Sequence, residues 1–144
     1  MKYIHFGSPC FDRGRFVPVR NIPFRNKPDG GLWASADNAE YGWYQWSRDN
    51  DDFGHCRLTN SFAFMLKPEA RILVLKTKDD VRRAARTGHS CYFGDLICLD
   101  FEALAQAWDV IDFHIAHLYM DMYGWDCDST LVLNPDVIEE VGRS

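Results

Sequence analysis

Three short segments of this chain carry residue types that could share one reaction. His5 is followed by Phe6-Gly7-Ser8, and a histidine beside a glycine can hydrogen-bond a ligand that comes close to the backbone. Trp33 and Ser35 lie just ahead of Tyr41-Gly42-Trp43-Tyr44-Gln45-Trp46, so aromatic faces and a hydroxyl could hold a flat ring with an amide, such as nicotinamide. The same rings can equally serve as core. Asp126 and Asp128 stand two apart ahead of an apolar run, which turns both carboxylates to one side of an extended chain. Two like charges so placed raise one pKa unless a cation or a hydroxyl is present. That suits an acid holding a sugar hydroxyl or facing developing positive charge; a capped turn leading into a strand is the other reading.

Other chemistries are poorly provided for. There is no G-x-x-x-x-G-K-[ST] phosphate cradle, no G-x-S-x-G elbow and no H-E-x-x-H zinc helix. His55-Cys56, His89-x-Cys91 and His114-x-x-His117 are the only metal-like spacings. On a strand, an offset of three would turn His114 and His117 to opposite faces, so no metal is expected. The cysteines (10, 56, 91, 98 and 127) are odd in number, irregularly spaced and without a C-x-x-C pair, which argues against a disulfide framework.

The elements that must position these residues read as an α+β domain spanning 1–144, with mostly antiparallel split sheets flanked by three or four short helices. Residues 2–6 form a strand closed by Gly7-Ser8-Pro9, and a proline-rich stretch with a possible short strand near 16–20 follows. Pro28-Asp29-Gly30-Gly31 is a turn, 32–35 a strand, and Asp37 a candidate N-cap for a helix over 38–47. Strands over 62–66 and 71–75 flank a turn at 67–70. Thr77 caps a helix over 78–87 that Gly88 ends, and Asp100 caps another over 101–107. Residues 110–115 are a strand candidate, 118–125 are ambiguous between helix and loop, and 131–133 form a strand stopped by Asn134-Pro135.

Size and charge narrow the class. At 144 residues the chain can bury a core without staples, and it has neither an apolar run of membrane-spanning length nor a signal peptide at its start. A cytoplasmic location is the expectation. The net charge of −5 is uneven: residues 95–144 hold eleven acids against Arg143 alone, while the rest is net positive. Gathered on one face, Asp109, Asp112, Asp121, Glu139 and Glu140 would attract a protein target with a basic surface. A non-catalytic inhibitor that mimics nucleic-acid charge is therefore one reading, and phage-encoded anti-CRISPR proteins resemble this chain in size and charge. The basic cluster Arg82, Arg83 and Arg86 is too small for direct nucleic-acid binding.

Taken in order, His5 on a first strand, Ser35 ending a strand before an aromatic helix, and Asp126-x-Asp128 before Leu131-Val132-Leu133-Asn134-Pro135 resemble the ADP-ribosyltransferase-like fold. The resemblance implies NAD, as substrate, in a cleft between two sheets. It also implies nicotinamide as leaving group and ADP-ribose transferred to a macromolecular target. Asp128, with Asp126, would then be the catalytic acid, and His5, Gly7, Trp33, Ser35 and Tyr41 the NAD-binding set. Aspartate stands where the family has glutamate, one methylene longer.

Overall fold

Alternation along Lys2–Phe6 turns Tyr3 and His5 to one side and Ile4 and Phe6 to the other, and this strand, β1, organises the sheet. The computed structural model describes residues 1–50, 57–84, 98–118 and 125–141. β2 (Leu32–Ala36) pairs antiparallel with β1, helix α1 (Trp43–Asp49) follows, and β3 (Ser61–Leu66) pairs antiparallel with the other edge of β1. β4 (Ile72–Leu75) leads into α2 (Lys78–Arg83) and α3 (Phe101–Ala107). β5 (Val110–Phe113), β6 (Ser129–Val132) and β7 (Ile138–Glu140) complete a sheet of seven strands in the order β4-β5-β6-β2-β1-β3-β7. Only β4 and β5 run parallel, and their crossover carries α2 and α3. The α+β architecture expected from the sequence is the one observed.

The sheet divides at β2. Leu32, Trp33 and Ala34 ladder with β6, whereas only Ser35 and Ala36 ladder with β1. An interior strand normally pairs both ways along its length; here the two sets do not overlap, and β1 and β2 part where His5 stands. The turn before β2 needs its glycines. Gly30 and Gly31 have φ of +75° and +70°, and a Cβ at Gly30 would collide with the carbonyl of Pro18.

Each face has its own core. One holds Leu75, Val81, Phe101, Leu104, Ile111, Phe113, Leu131 and Trp125, packed under α2 and α3. Trp125 is its hub, with ring centroids 4.5 Å from Phe113, 5.1 Å from Trp33 and 6.2 Å from Phe101. Burying such a ring removes on the order of 200 Å² from water, worth roughly 5 kcal/mol before entropy is counted. The opposite face holds Tyr3, Ala34, Phe62, Phe64, Val110, Val132, Val137 and Ile138.

Several elements depart from expectation. The first helix starts at Trp43, not 38, because residues 37–41 are engaged elsewhere: Asp37 N–H bonds Lys2 O at 2.8 Å and Tyr41 O accepts Asp128 N–H at 2.8 Å. Instead of a strand near 16–20 there is one bridge, Arg20 to Asp29, and β7 follows the proline expected to end the last strand. Thr77 and Asp100 do cap α2 and α3, accepting from Asp80 N at 3.1 Å and Ala103 N at 3.0 Å. The end expected for α2 at 87–88 and the ambiguous stretch at 119–124 lie outside the described residues. The sequence argues against a disulfide framework, yet Cys98 is disulfide-bonded, because spacing along the chain is blind to sulfurs brought together by folding; Cys10 and Cys127 are free thiols. No helix among the described residues is long and apolar enough to cross a membrane.

Candidate functional site

Three sequence segments thought to act together fall on three laterally adjacent strands: His5 on β1, Ser35 on β2, and Asp128 immediately before β6. At the divergence of β1 and β2, His5 spans the gap, its Nδ1 lying 2.7 Å from Trp33 O. A carbonyl only accepts, so Nδ1 donates and the neutral ring keeps its lone pair on Nε2. Burial lowers the His5 pKa, with the Trp33 bond opposing, which favours that neutral form. Nε2 sits above Gly7, the left-handed residue (φ +113°) that ends β1 and whose N–H bonds Asn60 O. The imidazole therefore offers an acceptor to a cleft of about 240 Å³ that also has Ser8, Asp12, Arg15, Gly31 and Phe62 on its walls.

Ser35 is 5% exposed and its hydroxyl both accepts and donates within the fold. It accepts Trp43 N–H at 2.9 Å, which caps α1 in place of the expected Asp37, and donates to Asp128 O at 3.0 Å. Tyr41 reinforces the same junction through its carbonyl, while its phenol pKa is raised by desolvation and by a bond to Asp49. Ser35 and Tyr41 thus position Asp128. The aromatic segment is half-buried: Trp33 meets Trp125 in the core and Trp43 outside it, and Tyr44 is stacked on Phe6 at 6.1 Å with Arg48 over its ring at 5.7 Å.

Asp126 and Asp128 have different partners. Asp126 is exposed near Lys27, whose pKa is lowered by burial and raised back by Asp126 and Cys127. Asp128 is half-buried; its Oδ1 accepts Ile115 N–H at 2.9 Å, and Oδ2 has no hydrogen-bond partner among the described residues. It lines a second cleft, of about 390 Å³, with Ala36, Asn38, Glu40, Lys76 and a pair that sequence reasoning did not join. That pair is Asp112 and His114, whose Oδ2 and Nε2 are 3.1 Å apart, while Thr130 Oγ1 donates to Asp112 Oδ1 at 3.3 Å. The signal was present: an Asp-x-His on a strand puts both side chains on one face. Continuing the strand registers sets His5 and Asp128 two strands and two residues apart, about 12 Å between Cα positions. They line separate clefts.

The other acids are scattered. Asp109 is buried, taking both Arg71 guanidinium bonds and Asn134 Nδ2. Asp112 lines the cleft, whereas Glu139 and Glu140 are exposed on the edge strand β7. Asp121 lies outside the described residues. Among the described residues no group of three or more His, Cys, Asp or Glu could hold a metal. No family model, no curated protein and no solved structure matches the chain.

Proposed function

We propose that the protein is an ADP-ribosyltransferase-like effector that binds NAD and transfers ADP-ribose to a macromolecular target. One observation carries this reading: residues 5, 35 and 128, remote in sequence, lie on or at three neighbouring strands of a sheet that divides between the first two. Two further features support it. His5 offers an unprotonated Nε2 to one cleft, suited to a hydroxyl of NAD remote from the reacting C1′, and Asp128 lines another cleft with one oxygen fixed by Ile115 N–H.

In this scheme the bond between ribose C1′ and nicotinamide breaks, its electron pair neutralising the pyridinium as nicotinamide leaves. Positive charge builds on C1′ and the ring oxygen, and the Asp128 carboxylate stabilises it. Ser35 and Tyr41 act through Asp128, by holding its backbone. Of the acids that the acidic-inhibitor reading needs on one face, Asp109 is internal and held by Arg71. The test is a thermal shift with millimolar NAD, together with assay of released nicotinamide. A rise in Tm and release at a rate above the uncatalysed background are expected; no shift and no release would sink the proposal.

A further inference from the structure

We infer that His114 is the general base that activates the acceptor, and that the acceptor is a neutral hydroxyl. This rests on the NAD-cleaving reading above. His114 follows β5, its backbone N–H bonded to Leu75 O at 3.0 Å, so the residue is anchored at the sheet's end. Asp112 accepts at Nε2, and Thr130 in turn holds Asp112 from the other oxygen. With Nε2–H donated to a carboxylate, Nδ1 carries the lone pair of the neutral ring. An imidazole oriented by an acid through one nitrogen and basic at the other is the arrangement that removes a proton from a hydroxyl. Both side chains reach solvent, at 38% for His114 and 21% for Asp112, and both line the cleft that contains Asp128.

The chemistry of that cleft selects the acceptor. Glu40, Asp112 and Asp128 outnumber Lys76, so an anionic acceptor group gains nothing from these walls, and the diphosphate of NAD has to lie away from them. A carboxylate would also need no base. As C1′ loses nicotinamide, the hydroxyl oxygen forms the new bond to C1′ and its proton passes to His114 Nδ1. The imidazolium, paired with Asp112, then releases that proton to solvent. The products are nicotinamide, the O-linked ADP-riboside and one proton. Asp112 and Thr130 are positioning residues.

Water and methanol are the simplest acceptors, giving ADP-ribose and methyl ADP-riboside from NAD. His114→Ala should lower both products about 100-fold, the usual worth of a general base, while the NAD-induced Tm shift persists. Added imidazole should restore a substantial part of the rate in His114→Ala and none in Asp128→Asn. Rescue of that kind is not expected of a merely structural histidine. If His114→Ala destabilises the fold, His114→Gln with the same readouts replaces it. Wild-type turnover with an unimpaired, imidazole-insensitive His114 variant overturns the role of His114 and leaves the NAD reading standing. Wild-type protein that neither binds nor cleaves NAD overturns both.

Discussion

Asp109 and Asp128 occupy comparable places, each just ahead of a strand in the middle of the sheet, yet they are treated oppositely. Asp109, 7% exposed, has both oxygens filled: Arg71 Nε and Nη2, Arg71 N–H and Asn134 Nδ2 all donate to it. Its own carbonyl accepts from Leu133 and Asn134 N–H, so one residue ties β4, β5 and the end of β6 together. Asp128 lines a cleft and has one oxygen filled, the other having no hydrogen-bond partner among the described residues. The lesson is that saturation separates a carboxylate that builds the sheet from one with capacity left for a substrate. Sequence position alone makes them look alike.

The largest effect expected is on stability at the saturated acid. Asp109→Ala removes the acceptor from three donor groups, one of them a charged fork, and should cost about 3 kcal/mol, measured by urea unfolding. The Arg71 bonds, chiefly, hold the Asp109 pKa down to about 2, against about 3.9 for an unfolded aspartate. The unfolded chain therefore takes up the proton first as acid is added. The stabilisation is present above about pH 4 and is lost as pH falls toward 2. A wild-type stability profile that is flat across that window, or one unchanged by Asp109→Asn, would break the comparison from this side.

Next comes the open acid, where the effect should appear in rate. Asp128→Asn keeps an oxygen for Ile115 N–H but removes the charge. Nicotinamide release should fall about 100-fold or more, with unfolding free energy changed by less than about 1 kcal/mol. Equal losses of stability in Asp128→Asn and Asp109→Asn would mean that both acids are structural.

Ser35 sharpens the same distinction with a hydroxyl. The resemblance to ADP-ribosyltransferases assigns it to NAD, yet its oxygen is occupied by Trp43 N–H and its proton by Asp128 O. Ser35→Ala should therefore cost about 1.5 kcal/mol of stability, the worth of a lost cap and a buried bond. NAD affinity, read from concentration-dependent Tm shifts, should change less than twofold once folding is accounted for. A large loss of affinity with stability intact would return Ser35 to the ligand.

What the sequence reveals follows the range of the interaction responsible. β1, β2 and β3 and the caps at Thr77 and Asp100 were legible because alternation and capping are decided within a few residues. The start of α1 was misplaced because Asp37 N–H and Tyr41 O serve Lys2 and Asp128, contacts that no local pattern announces. β7 is three residues long and owes its existence to β3, and the parallel pairing of β4 with β5 depends on the crossover through α2 and α3. His5 and Asp128 stand out in the sequence by residue type alone. The separation of their clefts, the pairing of Asp112 with His114, and the burial of Asp109 each required knowing which strands are neighbours.

The smallest effect tests whether saturation matters for an uncharged group. Trp125, in the core, and Trp43, half-buried, both pack on Trp33. Trp125 Nε1 donates to Asn26 O at 2.9 Å, whereas Trp43 Nε1 is buried without a partner among the described residues. Trp125→Phe deletes ring volume and also removes the bond to Asn26 O, so about 2 kcal/mol should be lost. Trp43→Phe deletes similar volume but also removes an unsatisfied donor whose desolvation already penalises the fold. The two contributions oppose, and the net change should lie within about 0.5 kcal/mol in urea unfolding. If Trp43→Phe proved as costly as Trp125→Phe, ring contacts would govern both sites and saturation would distinguish only the charged groups. If it stabilised the protein, the indole N–H would mark a second place, beside Asp128, where bonding capacity is left unused by the fold.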